Sequence, residues 1–150
     1  ALETSPPKGG LVADLGCGSG VLGLAALGLG AQSVVAADTD SLAVRATSDN
    51  RSLNQHDEEQ LVVALGSVET LQRLLAGRRA DLLLCNILAP VIEALAPSFE
   101  PLLTKGGRAL LSGLLVDQAP RLKQVLGDLG WTVTASAEQG RWGLLEIQRA

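Results

Sequence analysis

The sequence predicts an α/β fold: a doubly wound sheet of seven strands, parallel except for an antiparallel C-terminal hairpin. Five short apolar runs alternate with stretches of helical periodicity, which is typical of parallel strands with helices on both faces. Only the turn signal Glu138-Gln139-Gly140-Arg141 separates the last two runs, so they predict a hairpin. With 150 residues, 47% of them apolar and 2% aromatic, the chain has the size of one domain with an aliphatic core.

The predicted strands are apolar runs bounded by glycine, proline or polar residues. In chain order they cover residues 11–15, 33–37, 61–65, 80–85, 108–112, 131–137 and 142–148. The fourth is apolar after Asp81, as expected of a strand that is buried on both faces. Lys105-Gly106-Gly107 is predicted to be a turn that leads into the fifth strand.

The predicted helices between these strands cover residues 21–29, 41–53, 68–76, 91–96 and 116–129. The first is expected to stop at Gly28 and Gly30, because glycine readily takes the left-handed conformation that ends helices. Pro90 suits a first helical turn, where the missing N–H costs no intrahelical hydrogen bond. Pro120 falls early in the last helix and is expected to delay its start.

A glycine-rich turn, Asp14-Leu15-Gly16-Cys17-Gly18-Ser19-Gly20, joins the first predicted strand to the first helix. In doubly wound sheets, ligands bind beyond the carboxyl ends of the strands, where such a turn lies. Glycines let the backbone approach a ligand closely, and the helix that starts near Val21 favours a carboxylate at its N-terminus. Asp38, 22 residues beyond Gly16, ends the second strand and offers two acceptor oxygens to a ribose diol. The pattern favours S-adenosylmethionine as the cofactor.

A dinucleotide-binding oxidoreductase is the main alternative. Gly18-Ser19-Gly20-Val21-Leu22-Gly23 matches G-x-G-x-x-G, and Asp38 lies about 20 residues on, as that pattern requires. However, the turn begins at Gly16, which gives the spacing G-x-G-x-G, and Asp14 is expected to face the cofactor, where it would repel a pyrophosphate. The sequence also shows no proton donor for hydride chemistry. The alternative that the chain is a non-catalytic domain that binds S-adenosylmethionine stays open.

Gly66 and Ser67 end the third strand, where the adenine ring is expected to lie. The Ser67 hydroxyl can hydrogen-bond the base edge or cap the following helix, and both interpretations stay open. The complete set of predicted cofactor-binding residues is Asp14, Gly16, Cys17, Gly18, Gly20, Asp38, Thr39, Gly66, Ser67 and Asn86.

Asn86 and Ile87 follow the fourth strand and are the predicted catalytic residues. The Asn86 carbonyl oxygen and the Ile87 backbone carbonyl are expected to accept hydrogen bonds from a target amine and to aim its lone pair at the methyl group. An apolar mouth of Ile87, Leu88 and Leu114 would favour the neutral amine by desolvation. From Asn86 alone, a helix cap is the more ordinary interpretation.

The tetrapeptide Asn86-Ile87-Leu88-Ala89 resembles the variant acceptor motif of the PrmA family. These are ribosomal protein methyltransferases that modify the stalk-base protein of the large ribosomal subunit. Other stretches resemble the family in the same order: 14–20, 25–27, 30–31, Asp38 with Asp40, Ala43, Asn50, Asn54, 66–67, 95–97, 106–108, 112–115 and Trp142.

The resemblance implies a class I methyltransferase fold, cofactor contacts at Gly16, Asp38 and Asn86, and direct displacement by lysine ε-amines or an α-amine. The sequence also departs from the family in two respects. The N-terminal recognition module and a covering segment with Gly-Thr-Gly-His do not occur in this sequence, and Arg141 replaces a usual acidic residue. No methionine occurs, even at position 1, so the chain is expected to begin inside a longer gene product or to have been processed. Residues 1–150 are expected to be its catalytic domain.

Composition argues against several other classes of protein. A net charge of −4 and a pI near 4.9 argue against direct nucleic-acid binding. Residues 15–37 carry no charge, but glycines and Gln32 interrupt them, so a buried strand–helix–strand is expected and no membrane span. Cys17 and Cys85 lack metal-ligand spacing and predict free thiols in a cytoplasmic protein without a metal.

The remaining candidates have ordinary structural interpretations. His56, the only histidine, falls in a polar loop and is not expected to be catalytic. Trp131 and Trp142 begin the last two strands and are expected to pack in the core, because no basic patch accompanies them.

Overall fold

The computed structural model describes residues 1–150, which form one mixed sheet flanked by helices. The strands are β1 (Leu11–Leu15), β2 (Ser33–Asp38), β3 (Leu61–Leu65), β4 (Ala80–Asn86), β5 (Leu103–Leu115), β6 (Trp131–Gln139) and β7 (Trp142–Arg149). The helices are α1 (Val21–Gly28), α2 (Ser41–Leu53), α3 (Val68–Leu75), α4 (Ala89–Leu95) and α5 (Ala119–Asp128).

The strand order is β3-β2-β1-β4-β5-β7-β6, with β1 to β5 parallel and β7 antiparallel to both of its neighbours. The predicted seven-stranded sheet with a C-terminal hairpin is therefore confirmed. The chain runs outward from β1 to β3 and then returns to β4 on the other side of β1. This reversal places the ends of β1 and β4 side by side, where doubly wound folds bind ligands.

The helices cover the two faces of the sheet unequally. The larger apolar cluster includes side chains of α3, α4 and α5, and the smaller one includes α1. Along β1, Ala13 and Leu15 belong to the larger cluster and Val12 to the smaller one. By strand alternation, Asp14 shares the α1 face with Val12.

The predicted turn at Lys105-Gly106-Gly107 is wrong, because β5 begins at Leu103 and continues through these residues. The pairing of β4 with β5 jumps from Ala80↔Leu103 to Leu82↔Arg108, so the extra β5 residues form a bulge. The last helix begins at Ala119, after a 3₁₀ turn, with Pro120 in its first turn. The expectation that Pro120 delays the helix is confirmed.

None of the helices is long and apolar enough to cross a membrane. The uncharged residues 15–37 include the end of β1, all of α1 and most of β2. These residues form a strand–helix–strand unit whose strands are largely buried, as the sequence predicts.

Both cysteines are free and buried, with 7% of Cys17 and none of Cys85 exposed. Burial raises the pKa of the Cys17 thiol to about 11 and raises the pKa of Cys85 further. We therefore expect a thiol reagent to modify neither cysteine quickly in the native protein, since the thiolate is the reactive form. After denaturation without reductant, titration should find both thiols. A native protein that reacts as fast as the denatured one would contradict this burial.

Candidate functional site

The glycine turn between β1 and α1 is tied to the end of β2. Gly16, Gly18 and Gly20 all have positive φ angles, of 70°, 57° and 84°. The backbone N–H groups of Gly16 and Cys17 donate to the Ala37 carbonyl oxygen at 2.9 and 3.1 Å. Positive φ suits glycine, which explains why this turn has glycine at alternate positions.

Asp38 lies beside this turn, as predicted, and its carboxylate is held from two sides. Its Oδ2 accepts the Gly18 N–H at 2.9 Å, and its Oδ1 accepts the Asp40 N–H at 2.9 Å. Each oxygen therefore keeps a further lone pair for a ligand. The half-buried carboxylate is fixed before any ligand arrives.

A small cleft opens at this edge of the sheet, with a volume of about 120 Å³. It combines the ends of β1, β2 and β3 with the segment that follows β4. Its lining residues are Leu15, Gly16, Asp38, Thr39, Gly66, Ser67, Ile87, Val91 and Leu95. Five of the ten predicted cofactor-binding residues therefore meet in one place: Gly16, Asp38, Thr39, Gly66 and Ser67. We refer to it below as the cofactor cleft.

Two residues at the end of β3 shape one side of the cofactor cleft. Gly66 has a φ of 139°, and a Cβ atom there would lie 1.8 Å from the Thr70 Oγ1. Ser67 occupies the cap position of α3, but its side chain makes no capping hydrogen bond. The Ser67 hydroxyl is therefore available to a ligand.

Asp14 does not face the cofactor cleft, contrary to the sequence-based expectation. It is 1% exposed beneath α1, and its Oδ2 has no hydrogen-bond partner. Burial raises its pKa to about 7; the Gly23 N–H opposes this shift, and the Asp38 charge adds to it. In this structure the carboxyl group is therefore buried away from the cleft, and its predicted contact with the cofactor stays a prediction.

The third glycine of the dinucleotide pattern, Gly23, has a packing explanation. A Cβ atom there would lie 3.1 Å from the Val34 Cγ1 and 3.4 Å from the Asp14 Oδ2. A side chain here would crowd Val34, so glycine lets helix α1 lie close to β1 and β2. The pattern therefore does not require a pyrophosphate.

Asp14 should make stability depend on pH. Its pKa is raised in the native state, so the stability that its protonated form contributes is present at low pH and is lost as pH rises through about 7. Between pH 5 and 8, the free energy of unfolding should fall by about 2–3 kcal/mol relative to an Asp14→Asn variant. Urea unfolding of both proteins across this range measures the difference. Parallel curves would show that Asp14 does not titrate there.

Asn86 lies exposed at the end of β4 and does not cap the next helix. Leu88 is the capping residue of α4, and no side chain caps that helix. Instead, the Ser112 hydroxyl donates to the Asn86 Oδ1 at 3.2 Å. The interpretation of Asn86 as a helix cap is therefore wrong, and its amide is held toward the open edge of the sheet.

The chain next to Asn86 leaves one carbonyl group free. The Ile87 N–H donates to the Ser112 carbonyl at 3.2 Å, while the Ile87 carbonyl accepts no hydrogen bond from the chain. Gly113 sits at a register shift in β5 with a φ of 85°. A Cβ atom at Gly113 would lie 2.6 Å from the Ile87 carbonyl oxygen and 3.0 Å from the Asn86 Oδ1. Glycine at this bulge thus gives both acceptors their space.

A second, larger cavity of about 720 Å³ lies between Asn86 and the β6–β7 hairpin, and we call it the acceptor cavity. Its lining residues are Asn86, Ile87, Leu88, Ser112, Gly113, Ala137, Glu138, Gln139, Trp142, Gly143 and Leu144. Glu138 is the only charged residue in this wall. Ile87 lines both the acceptor cavity and the cofactor cleft, so the two spaces are adjacent.

Two predictions about apolar residues near this cavity are wrong. Trp142 is 52% exposed and lines the cavity, although core packing was expected. Leu114 is fully buried in the core and does not contribute to the mouth. Trp131, at 5% exposure, does pack in the core as predicted. His56 lies in the loop before β3, where its Nδ1 is 3.4 Å from the Gln60 Oε1, at the opposite edge of the sheet.

Relatives identify the family. A sequence profile described as "Ribosomal protein L11 methyltransferase (PrmA)" matches residues 1–150. The ribosomal protein L11 methyltransferase of Parasynechococcus marenigrum (strain WH8102) is 79% identical over 149 residues, which are 99% of this chain and 52% of that protein. That of Synechococcus sp. (strain RCC307) is 64% identical over 150 residues, or 100% of this chain and 50% of that protein. The chain thus spans about half the length of the curated relatives it matches.

Solved structures agree in fold. The ribosomal protein L11 methylase from Lactobacillus delbrueckii subsp. bulgaricus is 32% identical, with a TM-score of 0.87 over 99% of this chain and 74% of that chain. The tRNA methyltransferase TrmK of B. subtilis is 16% identical, with a TM-score of 0.72 over 99% of this chain and 64% of that one, which shows the fold alone. The predicted class I methyltransferase fold is therefore confirmed, and this chain belongs to the ribosomal protein L11 methyltransferase (PrmA) family.

Proposed function

We propose that this chain is the catalytic domain of an enzyme that transfers a methyl group from S-adenosylmethionine to amine nitrogens of ribosomal protein L11. The acceptors would be lysine ε-amines or the N-terminal α-amine. The observation that carries the proposal is the adjacency of two spaces at Ile87: a cleft with a fixed carboxylate and a larger cavity with free carbonyl acceptors.

The residues of the cofactor cleft fit S-adenosylmethionine. Asp38 offers two rigidly placed oxygens to the ribose hydroxyls, and Ser67 offers a free hydroxyl to the adenine edge. Helix α1 begins without a side-chain cap or an acidic residue in its first turn, so its N-terminus can attract the cofactor's carboxylate. When bound, S-adenosylmethionine supplies an electrophilic methyl group on a sulfonium centre.

The acceptor cavity suits an amine at the end of an aliphatic stem. Glu138 attracts a cationic side chain, and the exposed ring of Trp142 offers an apolar wall and a cation–π face. Leu88 and Leu144 add apolar surface to the same wall. Contact with the apolar wall disfavours the ammonium form and so lowers the pKa of the amine from its ordinary value near 10.4, whereas the Glu138 charge acts in the opposite direction.

The residues of this chain then orient the nitrogen. The Asn86 Oδ1 uses one lone pair on the Ser112 hydroxyl and keeps another for an amine N–H. The free Ile87 carbonyl can accept a second N–H. Two acceptors beside one nitrogen direct its remaining lone pair, which is the geometric requirement of an in-line displacement.

Titration calorimetry of the purified chain with S-adenosylmethionine and, separately, with NAD tests the cofactor. We expect saturable binding of S-adenosylmethionine and none of NAD. Tighter binding of NAD would favour the oxidoreductase alternative instead.

Mass spectrometry of ribosomal protein L11, incubated with the longer protein and S-adenosylmethionine, tests the reaction. Methylation of amine-bearing residues of the substrate is expected. Cofactor binding without methylation of L11 would favour the non-catalytic alternative. Since ribosomal proteins are made in the cytoplasm, the proposal places the reaction there.

A further inference from the structure

Helix α2 carries two side chains that hold the glycine turn, although neither lines the cofactor cleft. The Thr47 hydroxyl donates to the Gly18 carbonyl at 2.9 Å and lies 3.3 Å from the Cys17 Sγ. The Asn50 Nδ2 donates to the Ser19 carbonyl at 2.8 Å. Two consecutive peptide groups of the turn are thus fixed from the same helix.

Thr47 is fully buried, and its side chain packs closely against the glycine turn. A Cβ atom at Gly20 would lie 2.8 Å from the Thr47 Cγ2 and 3.1 Å from its Oγ1. The methyl group therefore packs beneath Gly20 while the hydroxyl group holds Gly18. A polar side chain buried among core residues needs a partner, and here the partner is the turn itself.

Fixing these carbonyl groups also fixes an N–H group. In a trans peptide the C=O and N–H groups point in opposite directions, and the chain has no cis peptide bond. Because the Gly18 carbonyl points toward α2, the Ser19 N–H points away from it. This N–H has no acceptor within the chain. The Gly20 N–H, by contrast, is satisfied by the Cys17 carbonyl at 2.9 Å.

We propose that Thr47 and Asn50 are positioning residues, which hold the turn so that the free Ser19 N–H meets the carboxylate of the cofactor's amino-acid end. This inference rests on the proposed binding of S-adenosylmethionine. It adds a role for the α2 helix, which would determine affinity for the amino-acid end of the ligand and not for its nucleoside.

Calorimetry with two ligands tests the proposal in the purified chain. S-adenosylhomocysteine has the amino-acid end, whereas 5′-methylthioadenosine keeps only the nucleoside and a methylthio group. Thr47→Val keeps the shape of the side chain but removes the hydroxyl, and it should weaken S-adenosylhomocysteine binding roughly tenfold, the loss expected for one hydrogen bond. Binding of 5′-methylthioadenosine should change less than twofold.

Thr47→Ser is the rescue variant, since it keeps the hydroxyl and loses the methyl group beneath Gly20. We expect it to bind S-adenosylhomocysteine within about twofold of the wild type, even where its melting temperature falls. Affinity and thermal stability should thus rank the two Thr47 variants differently. If affinity merely follows melting temperature, Thr47 has only a structural role and the proposal fails.

Asn50→Ala gives an independent measurement with a matched control. It should weaken S-adenosylhomocysteine binding by several-fold and spare 5′-methylthioadenosine. Asn54→Ala removes a similar hydrogen bond, from the Asn54 Nδ2 to the Asn50 carbonyl within α2, and should leave both affinities unchanged. Equal losses for both ligands in Thr47→Val and Asn50→Ala would overturn the assignment to the amino-acid end. A wild-type chain that binds neither ligand would instead refute the proposed function.

Discussion

Replacing Asp38 with alanine should weaken the binding of S-adenosylmethionine by roughly tenfold or more. The variant loses the acceptors for the ribose hydroxyls, which should cost about 1.5–3 kcal/mol in total, the range for hydrogen bonding to a charged group. It also frees the Gly18 N–H, which the Asp38 Oδ2 now holds at 2.9 Å, so the turn itself loses a restraint. Titration calorimetry of the purified chain measures the change.

A neighbouring carboxylate provides the control for Asp38. Asp40 caps α2 through a hydrogen bond from the Leu42 N–H to its Oδ1 and does not line the cofactor cleft. Asp40→Asn should keep both the cap and the wild-type affinity. If Asp38→Ala bound S-adenosylmethionine as tightly as Asp40→Asn, the ribose would have to bind elsewhere.

Asn86→Ala should lower kcat by roughly a hundredfold, the cost of misorienting a reacting group, while S-adenosylmethionine still binds within a few fold. The reason is that Asn86 is proposed to orient the acceptor amine, an interaction whose value lies mainly in reaching the transition state. The assay is single-turnover methylation of ribosomal protein L11 by the longer protein, with cofactor affinity measured in parallel.

Ser112→Ala provides a graded comparison for Asn86. It removes the hydroxyl that donates to the Asn86 Oδ1 but leaves the acceptor in place. We expect a loss of only several-fold, because the amide is less firmly oriented. Wild-type methylation by Asn86→Ala would show that this residue does not take part in the acceptor site.

Local sequence patterns were sufficient for the turn, for Asp38 and for the hairpin, because each depends on residue types that are close in the chain. The side of the sheet that Asp14 occupies could also have been read from strand alternation, since Val12 and Asp14 share a face. The pattern of acid before glycine predicts a residue that faces the cleft, whereas in the structure Asp14 is buried beneath α1.

The acceptor cavity was harder to predict from the sequence, because its shape depends on how distant strands pair. Gly113 shifts the register of β5 against β7, and this bulge turns Leu114 into the core. Trp142 then faces the cavity from the neighbouring strand. Neither orientation follows from the local pattern, since a bulge changes which residues share a face. The bulge within β5 at Lys105-Gly106-Gly107 was mistaken for a turn for a similar reason.

The two spaces share only one lining residue, Ile87, and this separation affects how such a site can change in evolution. The polar groups proposed to bind the cofactor lie between residues 16 and 67. The wall of the acceptor cavity comes from residues 86–144. Substitutions in the hairpin can therefore change the preferred acceptor while the affinity for the cofactor is inherited unchanged. Ile87 lacks this freedom, because a Cβ atom at Gly16 would already lie 2.5 Å from its Cγ2. Selection for new substrates should accordingly act first on β6 and β7 and last on the segment after β4.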